Sequence, residues 1–172
     1  LHENFGGTLD TNSNEYTLNL NDQFGSGTIN GISLKNGISY LEFEVNLNND
    51  VTLSINATEN LPIYFAYCSG GYLGHSFGEN REQRTLQKYQ TGILASKKAE
   101  ENNLTFKKGI HTKISLIVVN TKVSETSVGF NFNKKLRDTF FENDKIDHSV
   151  YISSFNLKIG NKIGELKAIK QT

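Results

Sequence analysis

Methionine and tryptophan are absent from the 172 residues, proline and cysteine occur once each, and the net charge at neutral pH is zero. A single cysteine, Cys68, excludes an internal disulfide and favours a reducing compartment. Balanced charge excludes a general attraction of the whole chain to nucleic acid or to anionic membranes. No apolar run approaches the roughly 18 residues needed to span a bilayer, and no charged-then-apolar leader begins the chain. These absences predict a cytoplasmic protein without membrane contact.

The chain begins at Leu1 and stops at Thr172 within a helical pattern. We therefore expect it to be a piece of a longer protein.

Alternation of apolar and polar residues dominates the first two-thirds of the chain. The stretch ISYLEFEVNLN (38–48) predicts a half-buried antiparallel strand, whose apolar face carries Leu41, Phe43, Val45 and Leu47. Asn36-Gly37 before it predicts a hairpin turn, because a type I′ turn needs positive φ at both central residues. Shorter alternating runs lie at 16–20, 51–55, 63–68, 104–106 and 110–119. Many short strands separated by glycines predict an antiparallel barrel or a double-sheet jelly roll.

The final third changes to helical spacing. The stretch 131–143 places Phe132, Leu136 and Phe140 on one stripe, and 156–170 does the same with Ile159, Ile163, Leu166 and Ile169. This spacing predicts two amphipathic helices, of which Gly160 and Gly164 weaken the second by about 1 kcal/mol each. We interpret KIDHSVYISSF (145–155) as an irregular connection between them. The fold is thus predicted to be mostly β, with a barrel over 1–122 and two or more α-helices in 123–172.

The stretch IYFAYCSGGYLGHSFG (63–78) carries the residues on which a metal hypothesis depends. A His-x-His pair on a strand suits a metal, because alternate residues point the same way. Here His75 has no such partner, Glu79 follows four residues later, and His111 lies on another predicted strand. We therefore expect no metal and no cofactor, and we expect His75 beside a turn at the lip of the barrel.

Two further catalytic patterns in this stretch are incomplete. Cys68 has no base evident in the sequence and is expected to be a small buried apolar group. The glycines at 70, 71 and 74 are followed neither by Lys-Ser/Thr nor by a helix, which excludes a phosphate-binding loop. Gly70-Gly71 is instead expected to form a loose hairpin turn. We predict no catalytic residue and expect that the chain is not an enzyme.

Three segments form one pattern with the helical segments after them: PIYFAYCSGGYLGHSFG (62–78), the charged loop ENREQRTLQKYQTGILAS (79–96) and LTFKKGIHTKISLIVVN (104–120). Together they resemble the amino-terminal regulatory domain of AraC-type bacterial transcription regulators. The resemblance covers roughly residues 38 to 170. It implies a cupin-like barrel that senses a small effector or serves dimerisation. It also implies DNA binding by two helix-turn-helix units, which lie in a C-terminal domain missing from this chain.

A regulatory barrel needs an apolar cavity with a few polar groups that orient the effector. Tyrosine suits such a wall, because its ring packs while its hydroxyl still finds a partner. We predict an opening at one barrel end lined by Phe43 with some of Tyr64, Tyr67, Tyr72 and His75. No Arg or Lys belongs to this wall, so an uncharged or weakly polar effector is expected. The alternative is that these rings simply fill the barrel.

The apolar stripe Ile159, Ile163, Leu166 and Ile169 predicts a dimerisation helix, because an exposed stripe of this length favours pairing. A homodimer is therefore expected. Two other classes stay open at this point. One is a metal-dependent cupin-type enzyme, and the other is a carbohydrate-binding β-sandwich module, which would also be rich in Asn and Gly with exposed tyrosines.

Overall fold

The computed structural model describes residues 5–55, 61–78, 82–96, 101–126, 129–141 and 148–169. In these ranges the β-strands are β1 Thr8–Asn12, β2 Glu15–Asn19, β3 Gly25–Ser33, β4 Ile38–Leu47, β5 Val51–Ile55, β6 Pro62–Gly70, β7 Tyr72–Phe77, β8 Arg84–Gln87, β9 Gln90–Ser96, β10 Asn102–Phe106, β11 His111–Asn120 and β12 His148–Phe155. The α-helices are α1 Phe130–Phe141 and α2 Leu157–Ile169.

The strands form two antiparallel sheets in the order of a jelly roll. The larger sheet has the order β1-β2-β3-β4-β11-β6-β9-β12, and the smaller has the order β5-β10-β7-β8. Of the eight strands β4 to β11, the larger sheet takes β4, β6, β9 and β11, and the smaller sheet takes the other four. A chain that crosses between two four-stranded faces in this way forms the two Greek keys of a jelly roll. The predicted fold class, a mostly β double-sheet jelly roll with C-terminal helices, is confirmed.

The strand predicted from 38–48 has the expected faces. Phe43, Val45 and Leu47 of β4 are buried in the single hydrophobic cluster between the sheets. The turn before β4 also has the expected backbone, with φ of 68° at Asn36 and 71° at Gly37. The alternating pattern and the Asn-Gly turn were therefore sufficient to predict both the strand and the way the chain enters it.

Three segments differ from the sequence prediction. Gly70-Gly71 is not a hairpin turn, because β6 and β7 belong to different sheets and the chain crosses between them here. The segment 79–96, predicted as a charged loop, contains the strands β8 and β9. The segment 145–155, predicted to be irregular, contains β12, which pairs antiparallel with β9. Part of the predicted helical segment 123–172 therefore belongs to the larger sheet.

Both predicted helices are confirmed, and both contact the outer face of the larger sheet. The inner face of β6 contributes Tyr64, Ala66 and Cys68 to the core cluster. On its opposite face, Phe65 contacts Phe140 of α1, with ring centroids 6.4 Å apart and the planes at 80°. Tyr67 lies against Gly160 of α2, so close that a Cβ on this glycine would overlap the phenol oxygen. Strand β6 thus separates the core from the helices.

Helix α1 is anchored by a buried amide. The Nδ2 of Asn133 donates to the carbonyl oxygen of Asn36 at 3.0 Å and to that of Asn120 at 2.8 Å. Asn133 is fully buried, whereas Phe132 beside it is 54% exposed. The predicted stripe is therefore wrong at Phe132, because the buried position goes to the residue that can satisfy two backbone carbonyls at the ends of neighbouring strands.

The two helix glycines predict opposite effects of the same substitution. We expect Gly164→Ala to raise the free energy of unfolding by up to about 1 kcal/mol, because alanine favours the helix and a Cβ there meets no atom within 4 Å. Gly160→Ala is expected to give no gain or a loss, because its Cβ meets Tyr67. Urea denaturation of the two variants measures the difference. Equal gains would contradict the contact between α2 and β6.

Candidate functional site

Three buried polar side chains lie together inside the jelly roll: Tyr64 of β6, His75 of β7 and Asn102 of β10. Each is at most 4% exposed. The Nε2 of His75 lies 3.0 Å from the Oδ1 of Asn102, and the Asn102 side chain lies close enough to the Tyr64 hydroxyl to oppose the rise in the pKa of Tyr64. We refer to these three residues as the interior triad. It joins the larger sheet, through Tyr64, to the smaller sheet.

Asn102 sets the hydrogen-bond roles in the interior triad. A side-chain amide has one acceptor oxygen and one donor nitrogen. Because the oxygen faces His75, the Nε2 of His75 carries the proton and donates, and the amide nitrogen of Asn102 is the group that can donate toward Tyr64. The remaining ring nitrogen of a neutral His75, Nδ1, is then an acceptor. It is buried and has no hydrogen-bond partner among the described residues.

Burial keeps these groups uncharged. It lowers the pKa of His75 below the ordinary 6.5, and the hydrogen bond to Asn102 opposes this effect only in part. It raises the pKa of Tyr64 to about 12, and that of the Cys68 thiol to about 11. Since the thiolate is the reactive form of cysteine, Cys68 is a poor nucleophile at neutral pH. The interior therefore offers neutral donors and acceptors.

A small cavity lies beside His75, between the two sheets. Its volume is about 10 Å³, which is room for about one water molecule. Apart from His75 and Arg84, its lining is apolar: Ala66, Leu73, Leu86, Gly92, Leu94, Val150 and Ile152. Arg84 is exposed and paired with Glu82 at 3.1 Å. The sequence prediction placed no Arg or Lys in the wall and missed the contribution of β12.

His75 is not beside a turn at the barrel lip, and this prediction is wrong. It lies within β7, opposite Leu104 of β10 and Arg84 of β8, and it is 4% exposed. Its ring packs edge-on against Phe77, with centroids 4.6 Å apart. The strands on both sides of β7 bury His75. Sequence analysis could place this residue only relative to the nearby glycines.

The other predicted pocket residues lie in four different places. Tyr64 meets His75 through Asn102. Phe43 packs in a separate aromatic group with Phe5 and Phe106. Tyr67 lies on the outer side of β6, and Tyr72 is half-buried at the start of β7. The structure thus brings together Tyr64 and His75, and the ligand pocket itself stays a prediction.

The residues considered for a metal site do not converge. His75 lies in the interior, whereas the His111 side chain is exposed and lies 3.6 Å from Glu44. Glu79 falls outside the described residues. The part of the chain that the structure describes contains no group of three or more His, Cys, Asp or Glu placed to hold a metal ion. The absence of a metal remains a prediction.

The predicted dimerisation stripe is described only in part. Ile159 is 39% exposed and Ile163 is half-buried, while the side chains of Leu166 and Ile169 fall outside the described set. Exposed apolar residues precede the stripe, namely Tyr151, Phe155 and Leu157. The homodimer stays a prediction. In the described residues no helix has the length and apolar character to cross a membrane.

No protein-family model matches the chain, and no curated protein matches it. Among solved structures it is similar to protein Ylba from E. coli, at 12% identity over 73% of this chain and 54% of that one, with a TM-score of 0.43. It is also similar to a mutant of Bacillus subtilis oxalate decarboxylase OxdC, at 6% identity over 77% of this chain and 41% of that one, with a TM-score of 0.43. The chain spans about half the length of these structures. The jelly-roll assignment rests on the strand order of this chain.

The buried imidazole predicts a pH dependence of stability. Because the pKa of His75 is lowered by folding, the unfolded chain takes up the proton first, and stability is lost as the pH falls below 6.5 toward the folded pKa. Between about pH 7.5 and 5.5 the loss from this residue is at most about 1.4 kcal/mol. Urea denaturation at both pH values measures it.

The control is the exposed histidine on β11. We expect His75→Gln to remove this part of the pH dependence and His111→Gln to keep it. A His75→Gln variant that loses as much stability as the unmodified chain over the same pH interval would contradict the assignment.

Proposed function

We propose that the chain is the effector-sensing and dimerisation domain of a cytoplasmic AraC-type bacterial transcription regulator, and that DNA is bound by a part of the protein outside this chain. The observation that carries the proposal is the buried Nδ1 of His75, which has no hydrogen-bond partner in the described part of the chain and belongs to a residue that lines an apolar cavity. Apolar walls with a few polar groups that fix orientation are typical of small-molecule binding sites. The same interior offers no activated nucleophile.

A single strand, β6, connects this site to the helices. Tyr64 and Tyr67 lie three residues apart on opposite faces of β6, one in the interior triad and one against α2. In the proposed mechanism, a ligand that contacts the interior triad changes the position of β6. The outer face of the strand then changes its packing against α2, which carries the stripe proposed to form the dimer.

The enzyme and carbohydrate-binding alternatives have weaker support. In the described residues, a single histidine faces the interior, and His111 lies on the outer side of β11. Metal catalysis in a barrel needs several ligands that converge on one ion. The exposed Tyr89 has Lys88 over its ring at 4.8 Å, so one face of a ring that could stack on a sugar is already used. We therefore favour a regulatory domain without catalysis.

The dimer is tested on α2. We expect the chain to dimerise at high concentration, and we expect Ile159→Glu to weaken the dimer at least about tenfold, because a charge would enter an apolar contact. Asn161→Glu, an exposed position of the same helix, is the matched control and should leave the association unchanged. Sedimentation equilibrium of the three proteins measures this. A strict monomer, or an equal effect of both substitutions, would contradict the proposed role of α2.

A further inference from the structure

The buried Nδ1 of His75 determines what a ligand in this cavity must offer. The Oδ1 of Asn102 accepts a hydrogen bond from the Nε2 of His75, with the two atoms 3.0 Å apart. The tautomer of His75 is therefore fixed, and its Nδ1 carries a lone pair. A buried acceptor without a partner is unfavourable, and nearly all such groups in folded proteins are satisfied by a donor. Because His75 lines the cavity, a hydrogen-bond donor that enters beside this residue and reaches Nδ1 would be stabilised there.

An anion does not meet this requirement. A carboxylate would bring oxygen lone pairs toward the lone pair of Nδ1, and it could bond only after His75 took up a proton that burial disfavours. Arg84 could attract an anion, but its guanidinium is exposed and already paired with Glu82. Exposed pairs of this kind contribute little and are screened by salt. The buried acceptor Nδ1 of His75, and not the exposed guanidinium of Arg84, therefore determines which class of ligand is favoured.

The walls and the position of the cavity limit the rest of the ligand. The remaining lining is aliphatic, and the volume of about 10 Å³ accepts little more than one hydroxyl group. A larger body must displace part of the lining. The strands able to give way are β8 and β12, because each is the last strand of its sheet in the described part of the chain. Both line the cavity, through Leu86 on one side and Val150 and Ile152 on the other.

We propose that the cavity binds a small neutral alcohol or phenol, whose hydroxyl donates to the Nδ1 of His75 and whose apolar body lies between β8 and β12. The inference rests on the proposed function, since it names the class of effector. It assigns His75 as the residue that selects a donor, and it assigns no ligand contact to Phe43, Tyr67 or Tyr72.

The test uses three probes of similar shape on the unmodified chain: phenol, its methyl ether anisole, which has no donor, and benzoate. Nitrogen-15 NMR of the histidine rings follows Nδ1 directly, and His111 serves as the internal control. We expect phenol to shift the His75 Nδ1 signal in a saturable way. We expect anisole and benzoate to bind at least about tenfold more weakly, the loss of one hydrogen bond.

Two variants test the selecting group. We expect His75→Gln to lose the preference for phenol over anisole, and His111→Gln, at an exposed residue that does not line the cavity, to keep it. If His75→Gln does not fold, the probe series on the unmodified chain still decides. Equal binding of phenol and anisole would overturn the hydrogen bond to Nδ1. Tighter binding of benzoate, lost in Arg84→Gln, would overturn the ligand class while leaving a sensor domain in place.

One further outcome overturns the inference alone. If Nδ1 is hydrogen-bonded before any probe is added and no probe changes its signal, water alone occupies the cavity. The dimer measurement on Ile159→Glu does not depend on any probe. A failed probe series with an intact dimer therefore rejects the ligand, and a monomer rejects the dimerisation role of the proposed regulator.

Discussion

The side-chain amide of Asn102 is the interaction on which the interior depends. In a jelly roll, the backbone hydrogen bonds are used within each sheet, so polar groups between the sheets must be satisfied by one another. Asn102 accepts from His75 of the smaller sheet and lies beside the hydroxyl of Tyr64 of the larger sheet. One amide thereby links two buried side chains, fixes the tautomer of His75, and leaves its Nδ1 as an acceptor with no partner among the described residues.

The desolvation that keeps the interior triad neutral also limits its chemistry. A general base works best when its pKa lies near the working pH, whereas burial lowers the pKa of His75 and raises those of Tyr64 and Cys68. All three shifts favour the uncharged forms of the side chains. A neutral imidazole with a fixed tautomer distinguishes hydrogen-bond donors from acceptors. These electrostatics agree with the proposed binding role.

Sequence patterns were sufficient where a single element determines its own structure. The alternation in β4, the Asn-Gly turn before it and both helices follow from local periodicity and turn chemistry. The pairing partners of an element are not local. His75 meets Asn102, 27 residues away, only because β7 and β10 pair in one register, and β12 becomes a strand because β9 offers it an edge. The alternation of Val150 and Ile152 was a usable signal in a segment that was interpreted as an irregular connection between two helices.

Strand β12 is not one of the eight jelly-roll strands β4 to β11, and it connects the cavity with α2. Its Val150 and Ile152 line the cavity, and the strand leads through Asn156 directly into α2. The Oδ1 of Asn156 accepts from the backbone N–H of Ile159 at 3.2 Å, which caps the helix, and its own N–H donates to the carbonyl of Tyr89 at 2.8 Å. Because this junction is held on both sides, a displacement of β12 by a molecule entering beside β8 would move the start of α2. A strand that lines the cavity thus leads directly into the helix proposed to form the dimer.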